Sequence, residues 1–277
     1  MEIKDILVYA DSGPKTAERI SFALGLARDW NAHLAALYVI PPPFIPPFDM
    51  AAMPADFFES QQRSAREQAA AAEKSFRAAA QQAGIAAEWR AVEGDAVDLL
   101  NLHARHVDLA VVTQADPDGK DMSMIPDLPE LVALDSGRPV LVLPYVGIPR
   151  TVGTNVLVAW NASRESTRAV NDALPILQRA KKVTILAVNP GEEADTGDIP
   201  CADVALHLAR HGVKAEAAQT VARDIDVGDV ILSRLADLGA DLLVMGAYGH
   251  SRLRELTLGG VTRTLFRHMT VPVMLSH

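Results

Sequence analysis

The residues best suited to chemistry in this chain are glycines that follow a short apolar run. Asp241–Met245, with the sequence D-L-L-V-M, is typical of a buried parallel strand. Gly246 and Gly249 come directly after it, and Gly259 and Gly260 follow a further nine-residue spacer. The next segment, V-T-R-T-L-F-R-H, is predicted to be helical. The stretch therefore predicts a strand, a glycine-rich loop and the start of a helix.

Such a loop can hold an anion, because backbone N–H groups in a glycine-rich turn and at a helix start point outward without partners. Glycine also lacks the Cβ that would keep a phosphate at a distance. The alternative interpretation is that these glycines are only turn residues between a strand and a helix. The chain has no G-x-x-x-x-G-K-[ST] motif and no G-x-G-x-x-G after a strand, which argues against a P-loop or a dinucleotide fingerprint.

The spacing resembles the G-x2-G-x9-G-[S/T] loop of the universal stress protein family, with Gly260 in place of the final Ser or Thr. In nucleotide-binding members this loop wraps the ribose and phosphates of ATP. The resemblance implies phosphate contacts from the loop residues Gly246, Gly249, Gly259, Gly260 and Val261. A missing hydroxyl at position 260 costs one hydrogen bond, roughly 0.5–1.5 kcal/mol, so the implied site is weakened and not abolished.

The same resemblance implies three further nucleotide contacts. Asn161 stands where ATP-binding members have an Asp at the tip of the first strand, and its amide can still meet an adenine edge. Val188 matches a backbone contact to adenine, and Met245 is an apolar residue suited to a base or sugar face. Basic side chains in or beside the loop either add positive charge or form a solvated edge: His250, Arg252, Arg254 and Arg263.

Composition limits the classes of protein that the chain can be. Its 277 residues are 49% hydrophobic and 22% charged, as expected for one or two globular domains. The net charge is −9 and no block of Lys or Arg occurs, so we expect no nucleic-acid partner. A single cysteine, Cys201, fits a reducing compartment. We expect no signal peptide, no membrane span and a cytoplasmic location.

The chain repeats itself. The strand-like segment at Asn155 aligns with that at Asp5, and three later apolar segments align in the same order. Each copy has the pattern β-α-β-α-β-α-β-α-β, which favours a Rossmann-like α/β fold with a parallel sheet, and the flavodoxin-like strand order 2-1-3-4-5 is one solution. We predict two domains, 1–146 and 153–277.

Both copies resemble the universal stress family, which implies a tandem member with two parallel five-stranded sheets, helices on both faces and strand order 3-2-1-4-5. A ligand then belongs at the carboxyl ends of strands one and four, where the winding direction reverses. The family also implies that the last strands, Pro139–Leu143 and Pro272–Leu275, pair with each other within the chain.

The first copy departs from the second after its fourth strand. Asp11 and Val39 keep the family positions on strands one and two, but Gln114-A-D-P-D replaces the glycine loop. Carboxylates there would repel a phosphate. We therefore expect the first copy to be a structural partner that does not hold a nucleotide triphosphate.

Other candidate sites are weaker. His103 with His106, and His207 with His211, have helical spacings that suit metal ligands, although a solvated helix face is the commoner explanation. The segment Pro41–Pro54 is rich in Pro, Phe and Met; it either covers the sheet or forms a lip over an apolar pocket.

Two functions follow as hypotheses. One is a stress-response protein whose second domain binds ATP, ADP or AMP, with magnesium as a candidate companion and at most slow hydrolysis, because no catalytic motif occurs. The other is a scaffold or apolar-ligand protein with a vestigial nucleotide site. A homodimer is a candidate assembly under either hypothesis.

Overall fold

A computed structural model describes residues 2–43, 55–116, 118, 125, 127–190, 201–247 and 260–277. The first half contains β1 (Asp5–Ala10), α1 (Thr16–Trp30), β2 (His33–Ile40), α2 (Ala55–Ala83), β3 (Ala87–Glu93), α3 (Ala96–Ala104), β4 (Leu109–Thr113), α4 (Leu128–Asp135) and β5 (Val140–Leu143). The second half contains β6 (Asn155–Ala159), α5 (Arg164–Arg179), β7 (Lys182–Val188), α6 (Ala202–Arg210), β8 (Ala215–Thr220), α7 (Val227–Leu238), β9 (Leu242–Gly246), α8 (Gly260–His268) and β10 (Val273–Ser276).

All ten strands join in one sheet with the order β3-β2-β1-β4-β5-β10-β9-β6-β7-β8. Within each half the pairs are parallel, and the strand order is 3-2-1-4-5 as expected. The halves meet where β5 and β10 pair antiparallel, with Met274 opposite Leu141. The α/β class is confirmed, but the prediction of two separate sheets is wrong: the last strand of each half has an unpaired edge that the other satisfies.

Helices cover both faces of this sheet because inward side chains alternate along the buried strands. On one face, side chains such as Ile6, Val8, Val156 and Val158 pack under α1, α2, α5 and α6. On the other face, side chains such as Leu7, Leu157 and Leu243 pack under α3, α4, α7 and α8. Each core runs across both halves, so burial and the central strand pairing stabilise the halves together.

Local sequence accounts for the start of several elements. Asp95 caps α3, since its carboxylate accepts hydrogen bonds from the backbone N–H groups of Val97 and Asp98 at 2.9 and 3.0 Å. Asp108 and Asp241 occupy equivalent positions before β4 and β9. Each accepts main-chain N–H bonds from the chain that leads into the first strand of its half. The repeat seen in the sequence is therefore a repeat of hydrogen bonds as well.

Several sequence predictions fall outside the described residues. They concern most of Pro41–Pro54 and the loop residues Gly249, His250, Arg252, Arg254 and Gly259. Among the helices that are described, none is long and apolar enough to cross a bilayer.

Candidate functional site

The described candidate residues of the second half gather at the carboxyl edge of the sheet. Asn161 follows β6, Gly246 ends β9 and Val188 ends β7. These three strands are neighbours, because β6 pairs with β9 on one side and with β7 on the other. α5 leaves β6 toward one face, whereas α8 packs on the opposite face. The strand order thus places these residues where a crevice opens in folds of this kind.

Gly246 has a packing reason to be glycine. A Cβ built there would lie 2.4 Å from the carbonyl carbon of Glu165 and 2.5 Å from the backbone nitrogen of Ser166. The first turn of α5 therefore rests directly on β9 at this point. The next residue, Ala247, gives its N–H to the carbonyl of Ser276 at 2.8 Å and so completes the sheet. Gly246 and Ala247 therefore serve helix packing and sheet hydrogen bonding. Any phosphate contact would come from later residues of the loop and from α8.

The described part of α8 begins at Gly260, which is exposed. Among the described residues, a Cβ built at Gly260 would meet no atom within 4 Å. The side chain of Arg263, one turn further on, is also exposed, while Thr262 and Leu265 are buried. A helix start carries unpaired N–H groups and the positive end of the helix dipole. Residues 260–263 contain no carboxylate, so the described first turn of α8 carries no negative side chain that would repel an anion.

Asn161 is partly committed. Its Oδ1 accepts a hydrogen bond from the backbone N–H of Ser163 at 3.2 Å. Ser163 in turn caps α5, because its Oγ accepts from the N–H of Ser166 at 3.1 Å. The Asn161 side chain is exposed, and its amide nitrogen has no partner within the described part of the chain. It retains a donor, which is the group that an adenine acceptor needs.

The remaining predicted contacts differ in exposure. Met245 is 6% exposed and lies in the core beneath α7 and α8, so little of its side chain faces outward. Val188 and Val261 are half-buried at the margins of the same core. The structure therefore brings Asn161, Val188 and Gly246 to one edge, and it places Met245 one layer below them.

The corresponding edge of the first half is closed by a buried arginine. Arg19 is 1% exposed; its Nε donates to the carbonyl of Tyr9 at 2.6 Å and its Nη1 to the Oγ1 of Thr113 at 2.9 Å. Its Nη2 forms an ion pair with Asp11 at 2.8 Å and also donates to Thr16. The guanidinium thus ties the ends of β1 and β4 together. Asp11, the acidic residue that follows β1, therefore stabilises the fold.

Sequence reasoning missed Arg19. Two features could have found it: the residue adjoins Ile20 on the apolar face of α1, and an acid stands at the end of the preceding strand. A buried arginine nearly always has such a carboxylate partner.

The helix after β4 is acidic where α8 is basic. Counting back from β5 and β10, Asp127 corresponds to Gly260 and Glu130 to Arg263. Glu130 is 7% exposed, and burial raises its pKa to about 7, with a smaller contribution from the negative charge of Asp127. This end of the first half is unsuited to a phosphate.

A small cavity of about 150 Å³ joins the two helices across the interface between the halves. Asp127 and Glu130 line one side, and Arg263 and Arg267 line the other. Beside it, the amide of Gln114 donates to the carbonyl of Phe266 and accepts from the N–H of Tyr145 at 2.9 Å. Gln114 in the first half occupies the position that Ala247 has in the second half. Its side chain, in the segment that replaces the glycine loop, hydrogen-bonds to α8.

The other candidates stay apart from this edge. The rings of His207 and His211 lie 4.7 Å apart on α6, and His103 contacts Arg90 at 3.3 Å. Within the described ranges no group of three or more His, Cys, Asp or Glu side chains could hold a metal ion. Burial raises the pKa of the Cys201 thiol, which makes it less reactive.

Comparison with known proteins adds the family. The model of the universal stress protein family matches twice, at residues 2–143 and 154–277. Universal stress protein Slr1230 from Synechocystis is 36% identical over 67 residues, which are 24% of this chain and 22% of that protein. The matched segment thus spans about a fifth of that relative's length.

A solved structure that aligns along nearly the whole chain has the same fold. A universal stress protein from Archaeoglobus fulgidus DSM 4304 is 18% identical and has a TM-score of 0.73, covering 99% of this chain and 96% of its own. A universal stress protein in complex with cAMP is 24% identical, covers 52% of this chain and 98% of its own, and has a TM-score of 0.38.

Proposed function

Because this chain belongs to the universal stress protein family as a tandem member, we propose that its second half alone binds an adenine nucleotide. The nucleotide, ATP, ADP or AMP, lies at the carboxyl edge of β6 and β9 with its phosphates toward the start of α8. The observation that carries the proposal is the contrast between the two edges. One has an open, exposed Gly260 followed by Arg263, and the other has Asp127 and Glu130 at the equivalent positions.

Charge supports this assignment. A phosphate near Gly260 would lie at the N-terminal side of the described part of α8, where the helix dipole favours an anion by about 0.3–1 kcal/mol before any side chain contributes. Arg263 adds a guanidinium one turn away, at the cavity whose other side is lined by Asp127 and Glu130. A phosphate near Asp127 would meet a carboxylate, and the guanidinium of Arg19 already donates four hydrogen bonds, to Asp11, Tyr9, Thr113 and Thr16.

The adenine end of the ligand would contact residues that follow β6 and end β7. Asn161 offers its exposed amide nitrogen, and Val188 ends the next strand at the same edge. Gly249 and Gly259, with the Gly-x2-Gly-x9-Gly spacing, complete the proposed loop. Magnesium would accompany a bound triphosphate through the phosphate oxygens and water, as it commonly does.

The role that we propose is regulatory or protective binding in the stress response, and hydrolysis is at most slow. Neither Asn161 nor Arg263 is a general base, and among the described residues no group of three or more His, Cys, Asp or Glu side chains could hold a metal ion. We further propose domain bounds of 1–146 and 153–277 and a cytoplasmic location. We also propose that the pairing of β5 with β10 within the chain takes the place of a dimer contact between two chains.

Equilibrium dialysis with labelled ATP tests the proposal. Gly260→Asp gives the second half the residue that the first half has, in a position with open space around it. The matched control is Asp127→Gly, where the backbone φ of 59° suits glycine. We expect retention of ATP by the native chain and by Asp127→Gly, and at least tenfold weaker retention by Gly260→Asp.

Equal retention by all three proteins, or by none, would remove the proposal. No retention would favour the alternative of a vestigial nucleotide site.

A further inference from the structure

A second recess lies between the two halves and is distinct from the nucleotide edge. It has a volume of about 420 Å³, within the range of small-molecule pockets. Its walls are the carboxyl-terminal turns of α1, the second half of α5 and the segment 150–154 that links the halves. We call this recess the linker groove.

The floor of the linker groove is apolar. Phe22, Leu26 and Ile176 contribute side chains that are at most 8% exposed, and Trp30 and Val152 add half-buried surface. The linker comes close to α5 because residue 153 is glycine: a Cβ there would lie 2.6 Å from Cγ2 of Ile176. The floor is therefore a fixed surface made by both halves.

The rim of the linker groove is cationic in a chain whose net charge is −9. Arg150, Arg179 and Lys181 all line it and are exposed. Among the described residues, no carboxylate lies within ion-pair distance of any of these three side chains. The carboxylate on the rim, that of Asp29, lies 3.5 Å from Arg28.

Arg179 is held in place for binding. Its guanidinium lies over the ring of Trp30, 4.0 Å from the centroid, and its Nη2 donates to the carbonyl of Asp29 at 3.1 Å. Stacking on an aromatic ring fixes the plane of a guanidinium while leaving its other N–H groups to meet an anion. The arrangement thus offers an oriented donor set above an apolar floor.

We propose that the linker groove binds a small amphipathic anion, with an apolar chain or ring on Phe22, Leu26 and Ile176 and a carboxylate at Arg150, Arg179 and Lys181. The chemical class is a medium-chain carboxylate bound as a single molecule. The linker groove suits a single bound molecule, because a bilayer surface could contact its charged rim but could not reach its apolar floor. The ligand would bridge both halves and so stabilise their arrangement by mass action.

Isothermal titration calorimetry with decanoate, on the full chain without nucleotide, tests this proposal. Decyltrimethylammonium is the matched probe, with the same apolar chain and the opposite charge. We expect saturable binding of decanoate near one per chain and no comparable binding of the cation. Arg150→Glu combined with Lys181→Glu should weaken decanoate binding at least tenfold, since both side chains are exposed and their replacement leaves the core intact.

Lys214→Glu combined with Arg223→Glu is the control, because it makes the same charge change at exposed positions outside the groove. Thr151→Trp fills the groove without a change of charge and should also weaken binding. The proposal is overturned if decanoate gives no saturable heat, if both double variants weaken it equally, or if the cation binds as well. The proposal would also be overturned if the chain sediments with anionic vesicles but does not bind decanoate.

Discussion

The carboxyl edges of the two halves are built from the same strands in the same order, yet they are finished differently. In the first half, Arg19 fills the space between the ends of β1 and β4 and pairs with Asp11. In the second half the position of Arg19 is taken by Ala169, which is fully buried. There the helix start comes close to the strand, and Gly246 makes that approach sterically feasible.

The difference shows how two copies of one fold within a chain can take on separate roles. A buried ion pair with a full set of hydrogen bonds fixes one geometry, but it consumes the acid and the space that a ligand would need. The second half packs backbone against backbone and leaves Gly260 and Arg263 exposed. One edge is specialised for holding the fold, and we propose that the other is specialised for binding.

The largest expected effect comes from breaking the first edge. Arg19→Ala removes a buried guanidinium and leaves the Asp11 carboxylate, the Tyr9 carbonyl and the Thr113 hydroxyl without it. We expect a loss of roughly 3–5 kcal/mol in the free energy of unfolding, measured by urea denaturation. Arg66→Ala, which breaks an exposed ion pair with Glu93 at 2.8 Å, should cost about 1 kcal/mol or less. Equal losses in the two variants would contradict the structural role of Arg19.

The acidic helix start of the first half predicts a dependence of stability on pH. The pKa of Glu130 is raised to about 7 in the folded chain from 4.5, so the folded state holds a proton that the unfolded state releases. This contribution to stability is full below about pH 4.5 and is lost as the pH rises through 7. Glu130→Gln should therefore remove a decline of up to about 3 kcal/mol between those values.

Urea denaturation of the native chain and of Glu130→Gln at pH 5 and pH 8 measures this dependence. Arg223→Gln, at an exposed position that does not line the cavity beside Glu130, is the control and should leave the pH dependence unchanged. Parallel pH dependence in the native chain and Glu130→Gln would show that Glu130 titrates as in the unfolded chain.

Making the second edge resemble the first should also cost stability. Gly246→Thr introduces the residue found at Thr113, but its Cβ would meet the backbone of α5 at 2.4 Å. We expect a loss of about 1–3 kcal/mol by thermal or urea unfolding, as overpacking usually gives. Gly260→Thr, at a glycine with open space, is the control and should change stability little. If Gly246→Thr were as stable as the native chain, the geometry of the two edges would be more similar than the structure indicates.

The smallest effect concerns the hydroxyl that the family pattern has and this chain lacks. Gly260→Ser places a donor at the start of α8 where a side chain meets no obstacle. One added hydrogen bond of about 0.5–1.5 kcal/mol should strengthen ATP binding roughly two- to tenfold. Gly260→Ala adds the Cβ without the hydroxyl and should not do so. Affinities from calorimetry with ATP decide between them, and equal affinities of the two variants would exclude this contact.

Much of the fold was accessible from the sequence because its signals are local and repeated. Four apolar segments recur in order, so two copies of one α/β unit could be expected from the residues alone. The strand order of each half and the pairing of β5 with β10 were implied by the family resemblance. The expectation of two five-stranded sheets did not take account of this pairing, which joins them into one sheet of ten strands. The cap at Asp95 was predictable from one residue and its neighbours.

The site was less accessible, since its key features depend on distance through space. Gly246 was expected in a phosphate loop, whereas its missing side chain is explained by the approach of α5. Met245 was expected to face a base or sugar, and it is buried below the edge. Arg19 lies eight positions beyond its partner Asp11, and only the fold brings Thr113 to Arg19.

Native mass spectrometry of the intact chain with ATP tests most directly the claim that the two edges are unequal. The account predicts that one nucleotide binds per chain, that Gly260→Asp removes it and that Asp127→Gly leaves it. Two nucleotides per chain, or one that survives Gly260→Asp, would contradict the account.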